Sequence, residues 1–156
     1  MLLNEVLHKG TISQSVGMSK VKAARSIRQM MNWLFCKSKN QGPTTVENLL
    51  ISHPNTDIII DLHRDAIADT SYAPSIKIGD EVVSQLMFVI GTDGGGLEHP
   101  NWQKNLQFAV KVQKKANELY PGLFRPILLR NSRYNQQLGK AACIIEVGAT
   151  GNTLEQ

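Results

Sequence analysis

An apolar run, Ile58-Ile59-Ile60, that stops at Asp61-Leu62-His63-Arg64-Asp65 restricts the fold of this chain more than any other stretch. β-branched residues in succession favour an extended strand covered on both faces, the setting of a strand inside a parallel sheet. Open sheets of that kind place their ligands at the carboxyl ends of the strands. The pattern therefore predicts a buried strand over Ile58–Leu62 that delivers a histidine between two carboxylates to such an end. A second apolar run, Ala142 to Val147, turns acidic at Glu146. Two strand tips would then each offer a group able to hold a metal or move a proton, which suggests part of a hydrolytic metal site.

The remaining periodicities supply the other elements. The first residues give a weak amphipathic helix, broken between Gly10 and Gly17. Ser19 is then a plausible cap for a helix carrying Val21, Ala24, Ile27, Met31 and Leu34. After Gln41-Gly42-Pro43, Thr44 opens a short helix through Val46, Leu49 and Leu50 that stops before His53-Pro54-Asn55. Ile76 and Ile78, Gly79-Asp80, Val82 and the run Leu86 to Ile90 read as a β-hairpin whose second arm is partly buried. Gly94-Gly95-Gly96 lacks the spaced glycines and lysine of a phosphate cradle and reads as a plain loop. Asn101 to Tyr120 is the strongest helix, with an apolar stripe from Trp102 to Leu119, ended by Pro121-Gly122. A short strand over 127–129, a polar loop over 131–137 and the strand from Ala142 complete the chain. Strands alternating with helices predict a single α/β domain over 1–156, a mixed and largely parallel sheet flanked by helices.

Composition narrows the partners. At 156 residues and 42% hydrophobic content the chain can bury an ordinary core, and its charge of +4 suits an anionic partner such as nucleic acid, anionic lipid or a cell-wall polymer. The basic residues Lys20, Lys22, Arg25 and Arg28, then Lys37 and Lys39, also fit an exposed helical face. A basic module that binds nucleic acid is the reading of a different class, and no recognition helix or stacking cluster accompanies the charge, so no nucleic acid is expected. Cys36 and Cys143 make neither a disulfide framework nor a cysteine metal cluster. Neither a signal peptide nor a transmembrane segment is legible.

His63 with Asp61 and Asp65 on one strand face is placed to ligate zinc while a carboxylate orients the ring; it is equally a structural histidine in an ion-paired turn with Arg64. Glu146 is a candidate general base, or the partner of Arg130 or Arg133 in a salt bridge. Arg133, Tyr134, Asn135 and Gln136 form a hydrogen-bonding cluster useful to a peptide or sugar substrate and equally to loop anchoring. His8, His53 and His99 read as surface residues. No covalent nucleophile is indicated.

Ile60-Asp61-Leu62-His63-Arg64-Asp65-Ala66, Phe88-Val89-Ile90-Gly91-Thr92, His99-Pro100-Asn101-Trp102-Gln103-Lys104-Asn105-Leu106, Tyr120-Pro121-Gly122-Leu123, Arg133-Tyr134-Asn135-Gln136 and Ile145-Glu146-Val147-Gly148 together resemble the stage II sporulation protein P family. The resemblance runs from about Thr44 to the end, and more faintly over Asn32 to Ser38. It implies a zinc amidase-like fold, with the hairpin as an insertion, and a zinc-dependent peptidoglycan hydrolase that cuts the amide between glycan strand and stem peptide, with an endopeptidase-like activity. It further implies His63 as a zinc ligand and Glu146 as the catalytic glutamate; Asp61, Arg64, Asp65, Arg133, Asn135 and Gln136 are candidate supporting or substrate residues from the residue pattern alone. Peptidoglycan and other sporulation wall-remodelling proteins are the implied partners, and membrane anchorage facing the septal wall the implied location. The family's His-Thr-His-Thr-Ser-Glu type strand, which brings the other zinc ligands, has no match in Met1 to Gly17. The expectation is therefore a partial domain with truncated ends, inactive alone, or a degenerate module that binds wall without cutting it.

Overall fold

A computed structural model describes residues 44–156; the helices expected before Thr44, the early basic cluster, Cys36 and His8 lie outside the described residues. The chain divides into two units, Met1–Ser52 and His53–Gln156. In the first, helix α1 spans Thr44–Ser52, as expected, and ends just ahead of His53-Pro54, where a proline disfavours helix in the residue before it.

The second unit contains β1 (Ile59–Asp65), β2 (Ser75–Ile78), β3 (Glu81–Ser84), β4 (Leu86–Gly91), α2 (Trp102–Leu119), β5 (Leu128–Arg130), a 3-10 turn (Gln136–Leu138) and β6 (Ala142–Ala149). Its main sheet has the order β1-β6-β4-β5. β1 runs parallel to β6 and β5 parallel to β4, while β4 and β6 are antiparallel. The sheet is thus mixed with mostly parallel pairing, and the α/β architecture is the one the sequence predicts. One expectation changes: β2 and β3 form a separate two-stranded hairpin around Gly79, and the run from Leu86 is a central strand of the main sheet. The reason is burial. β3 is largely exposed, whereas Met87, Phe88, Val89 and Ile90 are covered on both faces, which only an interior strand provides.

Pairing sorts the side chains into two faces. Phe88, Cys143 and Ile145 belong to one and are almost fully buried, with Phe88 stacked on Phe124 at a centroid distance of 4.8 Å. Burying a side chain of this size stabilises the fold by roughly 1.5–3 kcal/mol. Met87, Val89, Ile144 and Leu128 pack together on the other. Helix α2 approaches β4 and β6 through the small buried Ala109 and Ala116 and through Asn105. That asparagine is buried but satisfied: its Oδ1 accepts from the Ala142 amide at 3.0 Å and its Nδ2 donates to the Gln136 carbonyl at 2.9 Å.

The far end of β6 departs from regular pairing. His63 is level with Glu146, but Asp65 is level with Ala149, so three steps on β6 match two on β1. Gly148 takes φ +65 beside this bulge, and a Cβ there would stand 2.7 Å from Asn152 Oδ1 and 2.8 Å from Ser84 Oγ. The segment after β6 forms turns and bends. Buried Asn152 holds it, accepting from the Ala149 amide at 2.8 Å and donating to the Pro74 carbonyl at 3.2 Å. Among the described residues no helix is long and apolar enough to cross a membrane.

Candidate functional site

β1 extends three residues beyond the Leu62 limit expected from sequence, so His63 lies within the strand and Asp65 ends it. Register then assembles the site. His63 pairs with Glu146 on β6, and Glu146 pairs with Met87 on β4, which sets the three side chains in one row on one face. The next row is Asp61, Ile144, Val89 and Leu128. The two strand ends that the sequence singled out are neighbours.

The imidazole Nε2 of His63 and Oδ2 of Asp61 are 2.8 Å apart, with both side chains part-exposed. This hydrogen bond raises the histidine's pKa; burial opposes it, and the charges of Asp61 and Glu146 reinforce it. Glu146 sits beside buried Met87, and desolvation pushes its carboxyl above the usual carboxylate range against the pull of His63. Its Oε2 is buried without a hydrogen-bond partner. Neither Arg130 nor Arg133 makes an ion pair with it: the ion pairs among the described residues are His63–Asp61, Lys115–Glu118 and Arg125–Asp65.

The other residues of the Asp-x-His-Arg-Asp stretch have distinct positions. Arg64 turns away to the segment after β6, donating from Nε to the Ala149 carbonyl at 2.8 Å and from Nη2 to the Asn152 carbonyl. It does not pair with His63. Asp65 accepts from Arg125 Nη1 at 3.0 Å in a pair that is mostly buried. Arg125 was not singled out by sequence; Leu123-Phe124-Arg125-Pro126 reads as a loop, and nothing in it signals a buried guanidinium.

Arg133, Asn135 and Gln136 are at the opposite end of the sheet, because β4 runs antiparallel to β6 and the loop that carries them meets β4 at Gly91. Gln136 is buried, accepting from the Gly91 amide and donating to the Val89 carbonyl, both at 2.9 Å. Its polar groups are thus spent on the backbone. Asn135 and Tyr134 adopt left-handed backbone conformations there, and Arg133 reaches the Glu98 carbonyl at 3.4 Å. His99 corrects another expectation. It is 2% exposed, and its ring nitrogens are unpartnered, whereas His53 is on the surface as predicted.

The model of the family described as "Stage II sporulation protein P (SpoIIP)" matches residues 11–156. The chain belongs to that family. Stage II sporulation protein P of Bacillus subtilis (strain 168) is 28% identical over 127 residues, which are 78% of this chain and 30% of that relative. The chain therefore spans less than a third of the length of that curated protein. No solved structure matches. Within the SpoIIP family, the described residues can be tested against the zinc centre implied by the sequence. A catalytic zinc takes three protein ligands and leaves a position open. Among the described residues, no three His, Cys, Asp or Glu side chains are placed to share a metal ion. His63 and Glu146 are adjacent, but these residues do not fit a complete zinc site.

Proposed function

We propose that this sporulation-family chain carries the acid/base part of a peptidoglycan amidase site, directed at the amide between the glycan strand and its stem peptide. The observation that carries the reading is Glu146, a half-buried carboxyl with an unpartnered oxygen, level with His63 on the neighbouring strand. A carboxyl whose pKa is raised by burial takes up a proton more readily than an ordinary carboxylate, as a general base must. In the proposed reaction Glu146 takes the proton of a water whose oxygen bonds to the amide carbon. It returns that proton to the leaving nitrogen as the carbon–nitrogen bond breaks. Asp61 accepts from the His63 ring and fixes its orientation. Zinc remains part of the proposal only as an ion for which His63 would be one ligand, the others coming from outside the described residues. Peptidoglycan, other wall-remodelling proteins of sporulation and a septal location follow from family membership as proposals in the same sense.

The test is a chimera in which the matching stretch of the Bacillus subtilis relative is replaced by this chain. Incubated with purified peptidoglycan, it is expected to release stem peptides with new amino ends. The isolated chain is expected to release none. Glu146→Gln in the chimera should lower release at least ~100-fold, the range for loss of a general acid/base. Undiminished release by that variant would remove Glu146 from the mechanism.

A further inference from the structure

We infer that the glycine loop over 92–100 and the start of α2 form a binding site for an alkylammonium group, the lysine-type side chain of a peptide. Asp93, Glu98, Pro100, Trp102, Gln103 and the buried His99 line a cavity there of about 380 Å³. The loop leaves β4 at Gly91, so the cavity lies at the opposite end of the sheet from His63 and Glu146 and is independent of the amidase reading. The loop is held in place before any ligand arrives. Thr92 Oγ1 donates to the Arg130 carbonyl and accepts from the Gly94 amide, both at 3.2 Å, and the Gly96 amide donates to the Asp93 carbonyl at 2.9 Å. A Cβ on Gly94 or Gly95 would run into Asn131, so these glycines serve close packing against the loop after β5. A frame fixed in this way lowers the ordering cost of binding.

The charges of the cavity select its ligand. Asp93 and Glu98 are exposed, and among the described residues neither joins an ion pair. No lysine or arginine lines the cavity, and Arg133 reaches the carbonyl of Glu98 rather than its carboxylate. In a chain of net charge +4, both charged side chains of this cavity are thus acidic. His99 adds no counter-charge, because burial lowers its pKa and keeps the ring neutral near pH 7. It is 2% exposed, with both ring nitrogens unpartnered. A buried polar group left without partners costs stability, and native folds keep such groups where function demands the shape around them. Part-exposed Trp102 supplies the apolar wall. The methylenes of an alkylammonium pack on an indole, whose face also attracts the charge, while the N–H bonds reach the two carboxylates. Each group offered to the ligand, Asp93, Glu98 and Trp102, has open surface.

The experiment is a nuclear magnetic resonance titration of the whole chain, following the Trp102 indole N–H and the His99 ring signals, assigned by through-bond correlation. The probes are Nα-acetyl-lysine methylamide, the same compound acetylated on Nε, and N-acetylglucosamine. Both sets of signals are expected to shift saturably with the free amine, while the His63 ring signals stay in place. Acetylation of Nε should weaken binding at least ~10-fold, since it removes the charge that the carboxylates and the indole recognise. Asp93→Asn and Glu98→Gln should each weaken it ~2–5-fold. Both positions are exposed, where substitution leaves the fold intact. An unmoved Trp102 signal, an equal response to the Nε-acetylated compound, undiminished binding in both variants, or a response to N-acetylglucosamine alone would overturn the site.

Discussion

His63 holds its proton more tightly in the folded chain than in the unfolded one, because Asp61 accepts from its ring, whereas burial makes His99 release its proton more readily. The two signs give opposite pH dependences. The raised pKa of His63 contributes stability that is complete below about pH 6.5 and is lost as pH rises through the folded value. The lowered pKa of His99 contributes stability that is present above about pH 6.5 and is lost as pH falls through its folded value. Urea unfolding from pH 5 to 8 should therefore show His63→Gln flattening the alkaline side of the profile and His99→Leu the acid side; the same change on both sides would contradict the assignment. Cys143 offers a simpler check at this scale. Burial in β6 pushes its thiol up to about 12, so at pH 8 it holds almost no thiolate. With Cys36→Ser in the background, a maleimide should label Cys143 only once denaturant is added. Labelling at a free-thiol rate in the native protein would show that β6 is not covered. The histidine motif and Glu146 were legible in sequence because each interrupts an apolar strand. The burial of His99 was not: a histidine before proline at a helix entry has no periodic neighbours to reveal what lies over it.

At the scale of elements, the sequence predicts the type and approximate limits of α1, α2, β1, β5 and β6, since their periodicity depends on burial that each element can report alone. It assigned β4 to the hairpin because hairpin arms and interior strands share an apolar pattern, and only pairing separates them. The loop after β5 was legible as polar, but not as a device for ending the sheet. Gln136 substitutes for a neighbouring strand by satisfying the Gly91 amide and the Val89 carbonyl from one side chain. Gln136→Ala leaves both backbone groups buried and unpaired, at a cost of about 2–4 kcal/mol. Chemical denaturation should register a lower midpoint with little change in slope. Gln136→Glu is expected to be poorly tolerated too, since an ionised carboxylate cannot donate to Val89. A loss below ~0.5 kcal/mol in the alanine variant would mean that the loop does not terminate β4 in this way.

Across the whole molecule, order along the sheet decides which sequence features meet. Asp61 and His63 are some eighty residues from Glu146 along the chain but one strand away in space, because β1 and β6 pair in parallel. Arg133 and Gln136, much nearer to Glu146 in sequence, are carried to the other end by the antiparallel β4. No pattern of residue types predicts that reversal. The charge of +4 belongs to this scale as well. Binding to an anionic wall polymer should weaken with ionic strength, so co-sedimentation with purified walls is expected to fall several-fold between ~0.05 and ~0.5 M salt. Salt-independent sedimentation would assign wall binding to specific contacts instead.

The bulge beside Gly148 carries a further consequence for this arrangement. β6 spends one more residue than β1 between the His63–Glu146 level and the Asp65–Ala149 level, so the two strands leave the sheet out of step. Removing Gly148 would bring them into step and shift Ala149 and the segment after it by one strand rise of about 3.3 Å relative to β1, drawing the Ala149 and Asn152 carbonyls away from Arg64. Whether Arg64 finds its acceptors beside the site is thus a matter of backbone counting. A chain that kept every side chain named above and lost this one uncharged residue would keep His63 level with Glu146 and lose the carbonyls that turn Arg64 away from them.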